Sequence, residues 1–358
     1  MTTPFPRPSS FFRRPIRGRC AALGLLALIL APPLRARADD EPVPREVQYA
    51  VDRGLEWLSK NQQSNGSWGG GTGGGTALAA STSLATMAFM ARGHTPGQGP
   101  YGEAINRGVD AILALQAKDG LISQTAQSPA MYDHGISTVA LCEAFGMLDD
   151  GRQTLVRQAV SRAVRVILDA QKVPKGGDDQ GGWRYTPESR DADTSVSGWQ
   201  LMALRGASNI GANIPPKAID DGIAYIKRRS QLRAAGGGGF SYAGSSGANI
   251  ALTGTGILAL SLMGQPNAPE VRAGADYLLA NPGISGGHYY YTVYYVSQAA
   301  WQLGDKYWTT LSQRLYADIR GRQKSDGHWE GEVNPAYCTS MAILALSVPY
   351  RYLPIYQR

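Results

Sequence analysis

The densest chemistry in this sequence is the run Asp191-Ala192-Asp193-Thr194-Ser195-Val196-Ser197-Gly198-Trp199. Its two carboxylates, Asp191 and Asp193, form a candidate acid–base pair. Both lie on one short segment, which argues against the opposed geometry that sets two carboxyls roughly 6.5–9.5 Å apart across a substrate. Asp-Thr-Ser also opens an apolar stretch, and that pattern makes Asp193 a helix N-cap. A second cluster, Tyr289, Tyr290, Tyr291, Tyr294 and Tyr295, supplies aromatic faces. Such faces attract a cation or pack around a polar opening.

Other chemistries lack their residues. There is no H-E-x-x-H motif and no Ser-His-Asp spacing, and four histidines leave little for a metal cage. The glycine runs at 69–71 and 236–239 follow no strand and precede no Lys-Ser or Lys-Thr, so they do not read as phosphate loops. No metal and no cofactor is expected. Cys142 and Cys338 sit in apolar helical runs and read as core residues rather than a disulfide.

The elements that must position these residues repeat. Arg53-Gly54 is followed by Trp57-Leu58, Gln62, Gly66 and Trp68; Arg107-Gly108 leads to Gln116 and Gly120; Leu315 leads to Gln323, Gly327 and Trp329. A third copy runs through Ala163, Ile167 and Gln171, with an insertion before Gly182-Trp183. Two weaker copies run from Gly222 to Gly239-Phe240 and from Gly274 through Pro282 to Tyr289. Each copy carries apolar residues at helical spacing, as Val51, Leu55 and Leu58 do, and ends in glycine, which stops a helix. After each turn comes a helix apolar on most faces, near 76–92, 133–148, 193–207, 249–263, 290–303 and 335–348. Such helices are buried, so six hairpins with an inner and an outer ring are expected, with strands only as short pieces in the turns.

The run Arg53-Gly54-x-x-Trp57-Leu58-x-x-x-Gln62-x-x-x-Gly66-x-Trp68 resembles the glutamine-tryptophan motif of squalene and oxidosqualene cyclases, with looser forms in protein prenyltransferase beta subunits. The resemblance spans all six repeats. It implies an all-α fold, an α/α toroid or (α/α)6 barrel, in which the motif staples neighbouring hairpins. Gln62, Trp68, Gln116, Gln171, Trp183, Gln323 and Trp329 are then structural, with the glutamine amides bonding helix ends. The Asp193 segment is similar to the D-x-D-D-T-A motif of class II terpene cyclases, where a protonated carboxyl acts as general acid. Matched without a gap, Ala192 falls on the proton donor; only a one-residue deletion restores Asp193. Prenyltransferases hold zinc with Asp, Cys and His, but Ser195 stands two residues after Asp193, and His134 and Cys338 lie in other repeats. The inner helices begin at one mouth, which brings His134, Asp193, Asn249 and Tyr290 to similar positions. Trp199, Tyr294 and Tyr337 are expected to join them in lining a ligand cavity.

Charge narrows the partners. The net charge is +7, but seven arginines lie within residues 1–38, where there is no acid. The remainder has 28 basic and 28 acidic side chains, so nucleic acid is not expected. Arg13-Arg14-Pro15-Ile16-Arg17, the apolar run from Ala21 to Ala31 and Ala36-Arg37-Ala38 read as an export signal over 1–38, ordinary or twin-arginine. That leaves one toroid domain at 39–358, periplasmic or extracellular and without a spanning segment. Three functions fit: a protein binding or cyclising an isoprenoid or other apolar ligand, a non-catalytic envelope-binding module, and a carbohydrate-active toroid.

Overall fold

The computed structural model describes residues 42–69, 78–124, 129–232, 238–244, 246–284, 287–331 and 333–357. The expected export signal at 1–38 and residues 70, 71, 236 and 237 of the glycine runs lie outside the described residues. Among the described residues are twelve α-helices: α1 (Arg45–Lys60), α2 (Leu78–Ala91), α3 (Gly102–Ala114), α4 (Ala130–Phe145), α5 (Asp150–Lys172), α6 (Thr194–Asn209), α7 (Pro216–Arg228), α8 (Ile250–Leu262), α9 (Pro269–Ala280), α10 (Tyr289–Leu303), α11 (Asp305–Gly321) and α12 (Pro335–Leu346). The only described sheet is a two-residue pair, Phe240–Ser241 against Ala248–Asn249, in one of the turns. None of the described helices is long and apolar enough to cross a membrane.

The even-numbered helices pack in sequence, α2 on α4, α4 on α6, and so on to α12, which returns to α2. This closes an inner ring. Each odd-numbered helix lies in the groove between two inner helices, as α3 does between α2 and α4. The chain is therefore an α/α toroid of six hairpins. Composition explains the sorting. In α2 every residue from Ala79 to Ala91 is buried, and all are alanine, serine, threonine or apolar, so six helices can crowd around one axis. In α1 the buried set is Val47, Ala50, Val51, Gly54, Leu55 and Leu58, one face of an amphipathic helix.

The glutamines staple the outer ring. Gln62 Nε2 donates to Gly66 O in its own turn and to Ala104 O on the next outer helix, both at 2.9 Å. Gln116 spans Gly120 and Ala159 at 3.0 and 2.9 Å, and Gln171 spans Gly181 and Ala218 at 2.9 Å each. Gln323 bonds Gly327 and Ala50 at 2.8 Å each, which ties the last repeat to the first. Each amide thus gives one hydrogen to a carbonyl of its own turn and the other to a carbonyl of the neighbouring outer helix, tying the two hairpins together. Trp68, Trp183 and Trp329 lie fully in the core, and their Nε1 atoms donate to Leu58, Ile167 and Ile319 at 2.7 to 2.8 Å. Turn glycines must be glycine: Gly66 has φ +84°, and a Cβ there would meet the Arg107 carbonyl oxygen at 2.3 Å.

Candidate functional site

The turns that end the outer helices lead into the inner helices at one end of the ring, so the inner N-termini gather there as a mouth. Three carry side-chain caps: Asp193 accepts from Val196 N at 2.9 Å, Asn249 from Leu252 N at 2.9 Å and Asn334 from Tyr337 N at 2.8 Å. A fourth cap acts between helices. Asp133 Oδ1 on α4 accepts from Ala80 N in the first turn of α2 at 3.1 Å, and its Oδ2 from Ser123 Oγ at 2.9 Å.

Asp193 is more than a cap. It is completely buried, and Oδ1 also accepts from Ser195 Oγ at 2.5 Å. Its Oδ2 has no hydrogen-bond partner; the nearest cation, Arg184 Nη1, is 3.8 Å away. Burial pushes the carboxyl up to about 6, against the opposing pull of Ser195, Val196 N–H and Arg184. Asp191 is exposed and sits 3.4 Å from Arg184 Nε. The two carboxylates therefore share one guanidinium instead of facing each other across a gap. Ala192, between them, is fully buried.

Arg184 stands beside the Asp193 cap, about one-fifth exposed. Its guanidinium lies 4.5 Å from the Tyr185 ring and 5.2 Å from the Tyr242 ring, and the two tyrosine hydroxyls hydrogen-bond each other. The Tyr132 hydroxyl bonds Ser195 Oγ, and the Tyr291 hydroxyl lies 3.3 Å from Thr255 Oγ1. These four tyrosines are half-buried. Behind them, Tyr225 OH and Arg229 Nε and Nη1 are buried without hydrogen-bond partners among protein atoms. Asp178 and Asp179 stand 3.6 and 3.8 Å from Arg229.

Below the mouth the protein fills its own lumen. Trp199 on α6 stacks on Tyr294 of α10 at 5.6 Å and 11°, and meets Tyr295 edge-on at 5.8 Å. Helices α6 and α10 are separated in the ring by α8, so this stack bridges the interior. The far end is closed by the C-terminal segment. Tyr356 bonds Tyr294 through their hydroxyls, Ile355 N donates to Glu143 Oε2 at 3.1 Å, and Gln302 Nε2 donates to Tyr356 O at 3.0 Å. Burial raises the Glu143 carboxyl to about 8.

The other expected cavity residues scatter. His134 points away from the lumen: Nδ1 accepts from Ile122 N and Nε2 donates to Ala163 O, each at 3.0 Å. The second repeat has Ile122 where the first has Trp68, and the imidazole spans turn and outer helix there. Burial holds it neutral, down to about 4. Its assignment to a ligand cavity is therefore corrected to a structural one. Asn249 is exposed as a cap in the short hairpin, and Tyr290 packs beside Gly331 in the turn before α12. Tyr337 is buried on α12. Trp199 and Tyr294 do meet in the lumen, but as a mutual stack. Cys142 and Cys338 are buried and free, and the described residues hold no group of three metal-ligating side chains.

Sequence reasoning missed Arg184, Tyr185 and Tyr242. Arg184 immediately follows the repeat tryptophan Trp183, and Tyr242 stands two residues after Phe240, the aromatic at that place in the next repeat. Register alone could have paired these positions.

No known sequence family and no curated protein matches the chain. Solved structures match its fold. An inactive variant of an α-1,6-mannanase from Salegentibacter, in complex with α-1,6-mannotriose, aligns with a TM-score of 0.61 at 10% identity, covering 85% of this chain and 99% of that one. A possible member of the GH105 family from Klebsiella pneumoniae aligns at 0.54 and 15% identity, covering 92% and 99%. A type II terpene cyclase from Scytonema, bound to its product merosterolic acid A, aligns at 0.52 and 12% identity, covering 87% and 98%. At such identities the shared property is the toroid fold.

Proposed function

We propose that the ring binds an oligosaccharide at its mouth, on the platform of Arg184, Tyr185 and Tyr242. One observation carries this reading: the apolar lumen is occupied by the Trp199–Tyr294 stack and the C-terminal segment, while the mouth offers ring faces, hydroxyls and a guanidinium. Tyrosine rings suit the apolar faces of a sugar, and the polar groups suit its hydroxyls. The α-1,6-mannanase neighbour, with its bound trisaccharide, supports the ligand class. The placement of Asp193 supports binding over hydrolysis, because its free oxygen is buried and it shares Arg184 with Asp191.

The isoprenoid reading draws on the terpene cyclase neighbour and the aromatic lumen. It requires the Trp199–Tyr294 stack to part. Calorimetric titration with α-1,6-mannotriose and with geranylgeraniol separates the two. Oligosaccharide binding that Arg184→Ala weakens at least tenfold supports the mouth; binding of geranylgeraniol alone, lost in Trp199→Ala, overturns it. We also infer export with cleavage after Ala38, and N-terminal sequencing of the protein from its own cell should begin at Asp39.

A further inference from the structure

The six seams of the outer ring are not alike. Four are stapled by glutamine. In the fourth repeat Ser230 stands at the glutamine's place; a bridge from Ser230 to Phe240 and the Tyr277 hydroxyl, which donates to Ala248 O at 3.1 Å, tie that seam. The seam between α9 and α11 departs at three positions together. Pro282 stands eight residues after Gly274, as Gln62 does after Gly54, and has no amide to donate. Leu315 stands eight residues before Gln323, at the place of the glycine that admits an aromatic ring in other repeats. At Gly54, for instance, a Cβ would lie 2.8 Å from the Trp329 ring. The ring at this seam is Tyr289, which turns to donate to Asp318 Oδ2 at 2.6 Å instead of reaching into the seam.

The result is a cleft of about 540 Å³ between α9 and α11, within the usual size of small-molecule sites. Leu278, Val296, Leu311 and Leu315 supply its apolar wall, and Arg314 and Asp318 stand at its edge. Asp318 is engaged by Tyr289 and, at 3.4 Å, by Arg322. Arg314 is exposed and has no ion-pair partner among the described residues. An apolar cleft with one uncompensated guanidinium complements a molecule with an apolar chain and an anionic head. We propose that this cleft binds a fatty carboxylate, its chain against the leucine wall and its head on Arg314. The site is separate from the mouth and does not depend on what the mouth binds.

The test is calorimetric titration of the purified protein with decanoate, dodecanoate and tetradecanoate below their micelle concentrations. Each buried methylene should tighten Kd by up to about fourfold, so two carbons by up to about fifteenfold. Arg314→Gln should weaken dodecanoate about tenfold and leave dodecanol unchanged. Ala317→Trp, which fills the opening, should abolish both, and Arg184→Ala should alter neither. Thermal melts check that each variant folds; Arg314 is exposed, so Arg314→Gln decides the matter if Ala317→Trp does not fold. Affinity indifferent to chain length, or equal in Arg314→Gln and wild type, overturns the proposal.

Discussion

Removing the staple that closes the ring should destabilise the whole domain by a definite amount. Gln323 Nε2 makes two bonds at 2.8 Å, one to Gly327 in its own turn and one to Ala50 in the first outer helix. Gln323→Ala deletes both donors. Each hydrogen bond contributes about 1 kcal/mol net, and the site is half-buried, so water can reach the freed carbonyls. The expected loss is about 2 kcal/mol, and for a domain of this size each kcal/mol lowers Tm by about 2 °C. Gln171→Ala should cost more, about 3 kcal/mol, because Gln171 is only 6% exposed and the buried Gly181 carbonyl would be left dry. The control is Gln313→Ala, on the exposed face of α11. Differential scanning calorimetry of the three variants gives the comparison. Equal melting of Gln323→Ala and Gln313→Ala would refute the closure argument.

Other consequences follow from the interior. The Glu143 carboxyl is raised from 4.5 to about 8, so the folded state holds a proton that the unfolded state releases. Its stabilisation is complete below 4.5 and lost as pH rises through about 8; Tm measured across that window should fall less in Glu143→Gln than in wild type. His134 is lowered from 6.5 to about 4, so its contribution is complete above 6.5 and lost as pH falls through about 4. His134→Asn should melt lower at pH 7 yet lose less stability between those values, a difference visible in acid titration followed by circular dichroism. Trp199→Ala removes the stack that bridges the lumen and should cost about 3–5 kcal/mol in urea denaturation; a smaller loss would mean that the lumen collapses around the gap.

How much was legible depended on whether the information was periodic. The glutamine, glycine and tryptophan positions recur at fixed steps, so the hairpins and the two rings could be read from spacing, and the resemblance to the cyclase motif implied the staples. Inner helix boundaries matched to within a few residues because burial on all faces is a compositional property. Asp193 was legible as a cap from Asp-Thr-Ser, but its raised pKa was not, since that depends on how completely neighbouring helices exclude water. The Arg184 platform joins residues 184, 185 and 242 from two turns, and nothing local marks that meeting. The state of the lumen was not legible, because an aromatic residue on an inner helix looks the same in sequence whether it lines a chamber or fills it. Trp199 and Tyr294 lie on helices that are not neighbours, and only their contact distinguishes the two cases.

The central claim is that the mouth, rather than the lumen, holds the ligand, and that the ligand is a carbohydrate. Saturation-transfer difference NMR tests it most directly, with aromatic protons of the protein irradiated in the presence of α-1,6-mannotriose or other oligosaccharides. The account predicts transfer to sugar ring protons that disappears in Tyr242→Ala and Arg184→Ala and persists in Tyr294→Phe. Transfer to no oligosaccharide, with transfer to geranylgeraniol that Trp199→Ala removes, would contradict it.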